Sequence, residues 1–214
     1  MIDIGTSIQL VDGDWYTATS LLGMGGQGQV FEIRGSGGRT RALKWYYDHA
    51  GSPNQRQALA LLVERGAPSD RFLWPEQVVE RPGHSSFGYT MDIISDRFAP
   101  VAGLLNGTLA APPSLVCTLG LELADAFLSL HAQGLCYRDI SFANIFVDPV
   151  TAQPLICDND NVAFDGAEHS PVLGTRRFMA PELFRWEAMP SAATDRKSTR
   201  LNSSHVALSR MPSS

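Results

Sequence analysis

Four short segments, in one fixed order, constrain this chain more than any bulk property. Gly23-Met24-Gly25-Gly26-Gln27-Gly28-Gln29-Val30 comes first, then Ala42-Leu43-Lys44, then Tyr137-Arg138-Asp139-Ile140-Ser141-Phe142-Ala143-Asn144, and last Gly174-Thr175 leading to Ala180-Pro181-Glu182. Gly23, Gly25 and Gly28 carry no side chain, so backbone N–H groups there can approach phosphate oxygens closely. A glycine-rich turn alone is usually just a hairpin. Strands on both sides and a lysine at the end of the next strand make the phosphate reading specific.

The pattern around these segments predicts regular elements. Residues 15–22 are β-branched and aromatic and lead into the glycines as a strand; Val30–Ile33 alternates as the returning strand, and 41–46 is a third. Asn54 to Arg65 has helical apolar spacing (Ala58, Leu61, Leu62) and stops at Gly66. Phe87 to Ile94 reads as a strand running into a linker. After Pro112-Pro113 the strongest helix runs from Ser114 to Ala132, with Leu115, Leu119, Leu123, Phe127 and Leu130 as its apolar stripe and Gly134 ending it. Short strands follow around 145–147 and 155–157, with Asp148-Pro149 opening the turn between them.

Segments and elements together resemble the protein kinases of the eukaryotic-like (Hanks) serine/threonine type, with bacterial members the nearest in flavour, over roughly residues 15 to 190. The resemblance implies an α+β, bilobal fold: a β-rich N-lobe over 1–94 with the hinge at its end, a partial C-lobe over 95–194, and a tail over 195–214. It also implies ATP and Mg²⁺ as cofactors and a protein Ser/Thr hydroxyl as acceptor. Gly23, Gly25 and Gly28 would cover the phosphates, and Lys44 would hold the α- and β-phosphates. Val30 and Ala42 would roof the adenine, Phe146 would floor it, Met91 would be the gatekeeper, and the Asp92 carbonyl and Ile94 N–H would be hinge contacts. Asp139 matches the base that orients the incoming hydroxyl. Asn144 and Asp158 match the two metal ligands, with Asp160 an alternative to Asp158.

The chain departs from the family pattern at several points. Cys157-Asp158-Asn159-Asp160 stands where the family has Asp-Phe-Gly, so Asn159 cannot pack as an apolar plug. Tyr137 replaces a histidine, and Ser141 replaces a lysine that often contacts the γ-phosphate. The helix glutamate expected to pair with Lys44 falls at Ala60, with Glu64 the one carboxylate nearby. These changes keep a pseudokinase open as the alternative, with a small-molecule phosphotransferase as a third reading. Gly174 to Glu182 resembles a Ser/Thr-type substrate platform and argues against the third. Arg138 is positioned to meet a phosphate in a segment 158–182, with Ser170 the acceptor.

Bulk properties agree. The 214 residues carry a formal net charge of -5, which supplies no electrostatic footprint for nucleic acid, and 44% apolar residues suffice for a packed core. Cys117, Cys136 and Cys157 are an odd number without paired spacing, which points to free thiols in a reducing, cytoplasmic setting. The N-terminus lacks signal-peptide character, no uninterrupted apolar run approaches the ~20 residues of a bilayer span, and no membrane contact is expected. His131 and His169 read as structural or surface residues.

From Asp195 the composition turns to Ser and Arg without apolar period, and the run resembles one reading frame of a sequencing adapter. Three expectations follow. Residues 195–214 should pack against nothing, the helices that normally cover the long helix should be missing, and this chain alone should be inactive with part of that helix's stripe exposed.

Overall fold

The computed structural model describes residues 2–165 and 179–197. The chain forms two compact units. One is Met1–Ala67 with Trp74–Ile94; the other is Pro68–Leu73 with Ser95–Ser214.

The first unit is a six-stranded sheet with one helix. Its elements are β1 (Ser7–Gln9), β2 (Trp15–Met24), β3 (Gly28–Gly35), β4 (Thr40–Tyr46), α1 (Pro53–Arg65), β5 (Gln77–Glu80) and β6 (Phe87–Met91), and the strand order is β1-β2-β3-β4-β6-β5. Every pairing is antiparallel. Strand alternation sends one set of side chains from β2, β3 and β4 into a core of Ile8, Leu10, Tyr16, Ala18, Phe31, Ile33, Leu43 and Trp45. The helix starts where its sequence says it should. Ser52 caps it by accepting the Gln55 N–H at 3.1 Å, Pro53 fills the first position, and Gly66 at φ 78 ends it. The face differs from the expected one. Leu59 and Leu62 are buried, whereas Ala58 and Leu61 point to solvent. Trp74 decides the rotation by donating its indole N–H to the Leu62 carbonyl at 2.9 Å. A groove of about 680 Å³ beside α1 is lined by Leu10, Arg56, Ala60, Val78, Val79 and Glu80, and none of the sequence-predicted cofactor residues lines it.

The second unit contains β7 (Ala99–Pro100), α2 (Ala102–Asn106), α3 (Pro113–Ala132), β8 (Leu135–Tyr137), β9 (Ile145–Val147), β10 (Pro154–Ile156), β11 (Val162–Phe164) and α4 (Pro181–Phe184). The short strands form a three-stranded sheet in the order β10-β9-β7 and a β8–β11 pair. Helix α3 is apolar and long enough to cross a membrane by length and composition, with a mean hydropathy of 1.4. Glu122 and Asp125 interrupt it, and Leu115, Leu119, Ala126, Phe127 and Leu130 are buried, a use that calls for the same composition. The stripe predicted to lie partly open is therefore covered at four of its five positions, and Leu123 is partly buried. The exposed leucines are instead Leu121 and Leu128, on another face.

The expected boundary at residue 195 does not survive in its first positions. Residues 192–197 are helical. Ser191 and Thr194 cap this turn reciprocally, through Ser191 N–H to Thr194 Oγ1 at 2.9 Å and Thr194 N–H to Ser191 Oγ at 3.3 Å. Asp195 is 3% exposed, so the run begins inside the packed structure; 198–214 lie outside the described residues.

Candidate active site

On the sheet, register explains why four predicted residues belong together. Lys44 lies opposite Val30 on β3 and opposite Tyr89 on β6, and Ala42 lies opposite Met91. Side chains alternate along a strand, so Val30, Ala42, Lys44, Tyr89 and Met91 share one face, away from the core on the other. Met91 and Ala42 are buried and Val30 half-buried; Asp92 and Ile94 follow directly after β6. The Asp92 side chain meets Arg41 at 2.5 Å, and Arg41 also meets Glu76 at 2.9 Å. Burial pushes the Glu76 carboxyl above its ordinary range, against the pull of Arg41.

Lys44 is 6% exposed. Its Nζ lies 5.7 Å from the Tyr46 ring centroid and 6.0 Å from that of Tyr89, both buried rings. Two aromatic faces thus stabilise a cation that burial alone would disfavour. Neither tyrosine was legible as a site residue, although Tyr46 sits two positions after the lysine on the same strand face. Glu64 is exposed near the end of α1 and makes no ion pair among the described residues. The structure does not bring it to Lys44, because the helix turns Leu59 and Leu62 inward instead.

The glycines divide by role. A side chain added at Gly23 or Gly25 would meet nothing within 4 Å. One added at Gly28 would strike the Trp45 carbonyl oxygen at 2.2 Å. Gly28 is needed for β3 to approach β4, whatever it does toward a ligand.

In the second unit the predicted residues sit in one hydrogen-bonded frame. β8 delivers Tyr137, and the half-exposed Asp139 follows. Asn144 donates its side-chain N–H to the Asp139 carbonyl at 2.9 Å, which leaves its amide oxygen as the donor atom for a cation. The Asn144 carbonyl accepts the Cys157 N–H at 2.8 Å, fixing the Asp158 turn beside it. Arg138 binds that turn from its far end. Its backbone N–H and Nε reach the Asn161 carbonyl at 3.1 and 3.0 Å, and Nη2 reaches the Asp160 carbonyl at 3.4 Å. Asp158 adopts the left-handed conformation at φ 53, which aspartate tolerates better than most residues. Asp158 is half-exposed, whereas Asp160 is buried. Burial, then the nearby charges of Asp158, Cys157, Asp139 and Asp160, hold the Tyr137 hydroxyl well above its ordinary pKa. Phe146 is half-buried on β9, opposite Leu155 and Pro100.

One further group was missed. Asp195 accepts the Tyr137 N–H at 2.5 Å and lies 3.1 Å from His131 Nε2, so it anchors the strand that leads into Asp139. The sequence offered only Asp195 at the edge of a biased run. His131 is structural, as expected. Burial raises the Asp195 carboxyl above its ordinary 3.8, opposed by His131 and the Tyr137 N–H. A carboxyl raised in the folded state contributes stability that is complete below the unfolded pKa and is lost as pH rises through the folded one. Melting temperature should therefore fall as pH climbs above about 4, and Asp195→Asn, which can still accept the Tyr137 N–H, should flatten that slope. Asp195→Ala should cost about 1–3 kcal/mol, because it strands a buried donor. Thermal melts across pH check both; a wild-type slope kept by Asp195→Asn would assign the effect elsewhere.

Burial pushes the Cys136 and Cys157 thiols up to about 12, so both are inert. Glu182, the first-turn acid of α4, pairs with Lys197. Ser170, His169 and Gly174 to Phe178 lie outside the described residues.

The donors fit the implied metal. An amide oxygen and a carboxylate are hard ligands, and Mg²⁺ is usually held by one or two carboxylates with substrate phosphates and water. Among the described residues no group of three His, Cys, Asp or Glu forms a dedicated cage.

No protein-family model matches the sequence, and no curated protein matches it. Solved structures do match. The kinase domain of Mycobacterium tuberculosis PknI aligns at TM-score 0.68 and 18% identity, over 100% of this chain and 80% of that one. Vaccinia related kinase 3 aligns at TM-score 0.67 and 18% identity, over 95% of this chain and 68% of that one. This chain has the protein-kinase-like α+β fold.

Proposed function

We propose that this fold serves a cytoplasmic protein serine/threonine kinase that uses Mg-ATP. The observation that carries the reading is the hydrogen-bonded frame joining Asp139, Asn144 and the Asp158 turn. Catalysis of phosphoryl transfer is mainly positioning plus electrostatics, and this frame supplies positioning. Asp139 would accept the proton of an incoming Ser or Thr hydroxyl, and Lys44 would hold the α- and β-phosphates. Val30, Ala42, Met91 and Phe146 would enclose the adenine, with Asp92 and Ile94 as backbone partners. Asn144 and Asp158 would hold Mg²⁺, which neutralises charge on the phosphates.

A pseudokinase is the second reading, favoured by the exposed Glu64 and by the changed residues Asn159 and Ser141. The deciding assay gives γ-labelled ATP and Mg²⁺ to the 214-residue chain and then analyses which residues carry label. Label on Ser or Thr supports the kinase. Nucleotide binding without transfer supports the pseudokinase, and label on an added small molecule supports a small-molecule phosphotransferase.

The metal assignment has its own test. Magnesium-dependent nucleotide affinity should fall about tenfold or more in Asp158→Asn and less in Asp160→Asn, since the former is half-exposed and the latter buried. The reverse order overturns the assignment.

A further inference from the structure

We propose that Asn159 is a positioning residue that pins the Asp158 turn, its side-chain amide standing in for a missing backbone donor. The inference rests on reading Asp158 as a metal ligand.

Residues 71–73 form a parallel bridge with β10, centred on Phe72 and Ile156. Ile156 donates its N–H to the Arg71 carbonyl at 2.8 Å, and Leu73 donates to the Ile156 carbonyl at 2.8 Å. In a parallel ladder the next donor to the Leu73 carbonyl would be the backbone N–H two residues beyond Ile156. The chain has left the ladder by then. The Cys157 N–H lies on the other edge of β10, where it meets the Asn144 carbonyl, and Asp158 then swings the backbone into the left-handed region at φ 53. The Asn159 amide fills the gap: Nδ2 donates to the Leu73 carbonyl at 2.8 Å and to the Ile156 carbonyl at 2.8 Å.

Two features separate a pin from ordinary packing. Both partners are carbonyls, so only the amide nitrogen can face them, and both of its hydrogens are used. The amide oxygen is then left buried without a partner, at a residue 1% exposed. An apolar side chain of similar size would avoid that cost, so the amide is present for its two donors. The residue that reads as a degenerate apolar plug is a polar one with a different job. It ties the turn to residues 71–73, while Asn144 ties it to the Asp139 loop and Arg138 ties its far end.

Hydrogen exchange on the 214-residue chain tests the pin, with Asn159→Leu and Asn159→Ala compared against wild type. Exchange at the Leu73, Cys157 and Asn161 amides should accelerate about tenfold or more, while the Phe31 and Leu43 amides keep their rates. A second readout is the affinity of a fluorescent ATP analogue with and without Mg²⁺. The gain on adding Mg²⁺ should drop about fivefold or more, with the metal-free affinity within about twofold of wild type. Unchanged exchange at the three amides, or acceleration spread equally over both units, overturns the pin. Accelerated exchange with an unchanged Mg²⁺ gain overturns its positioning role. A wild-type chain with no Mg²⁺ gain overturns the metal reading of Asp158, and exchange alone then decides the pin. Should Asn159→Leu lose cooperative melting, Asn159→Ala, which adds no bulk, carries the comparison.

Discussion

Phosphoryl transfer in Asp139→Ala is expected to fall about 10²–10⁴-fold, the usual cost of removing a general base, while the melting temperature stays within about 2 °C. The structure makes this separation testable. Asp139 contributes its backbone carbonyl to the frame, through the Asn144 amide, and that contact does not depend on its side chain. The carboxylate is half-exposed, so its removal opens no core cavity. Lys44→Met makes a contrasting pair. Lys44 is buried between two tyrosine rings, so its loss should reduce nucleotide affinity and also shift stability. The measurement is kcat/KM for label transfer beside a thermal melt of each variant. Equal transfer by wild type and Asp139→Ala would sink the enzyme reading.

The largest stability effect is expected at Gly28. A Cβ there would stand 2.2 Å from the Trp45 carbonyl oxygen, 2.9 Å from its carbon and 3.1 Å from the Tyr46 Cα, all backbone atoms of the neighbouring strand. Backbone cannot swing aside as a side-chain tip can, so β3 and β4 must separate where Gly28 pairs with Tyr46. Gly28→Val should cost about 2–4 kcal/mol and lower the melting temperature by roughly 5–15 °C. Gly25→Ala should stay within about 0.5 kcal/mol, because the space around it is open. Any loss of nucleotide affinity in Gly25→Ala would then report on the ligand rather than on folding. Equal melting of Gly28→Val and wild type would show that the strand end relaxes freely.

Local chemistry was legible wherever cause and effect lie within one turn or one strand. Ser52-Pro53 and Gly66 bound α1 because capping and φ preference are local, and β2, β3 and β4 follow from alternation. The order of the glycine turn, Lys44, Asp139 with Asn144, and Asp158 pointed to a kinase-like fold, and the structure has that fold. The three-residue strands β9 and β10 were legible because the Asp148-Pro149 turn joins them, whereas the equally short β11 was not, since it forms by pairing with β8, far back in the chain.

What only the tertiary structure decided was the partner of each polar or special residue. Gly23, Gly25 and Gly28 look alike in sequence, yet of these three only Gly28 faces a neighbouring strand's backbone. Glu64 was the available carboxylate, but Trp74 and the buried Leu59 and Leu62 set the rotation of α1 and leave it in solvent. Asp195 looked like the first residue of a foreign tail and is the buried acceptor for Tyr137. Asn159 looked like a lost apolar plug and is a double donor to carbonyls far apart in the chain. A hydrophobic pattern declares itself along the chain because burial is non-directional and roughly additive. The worth of a hydrogen-bonding group depends on a partner at the right distance and angle, and that partner is supplied by a segment many residues away.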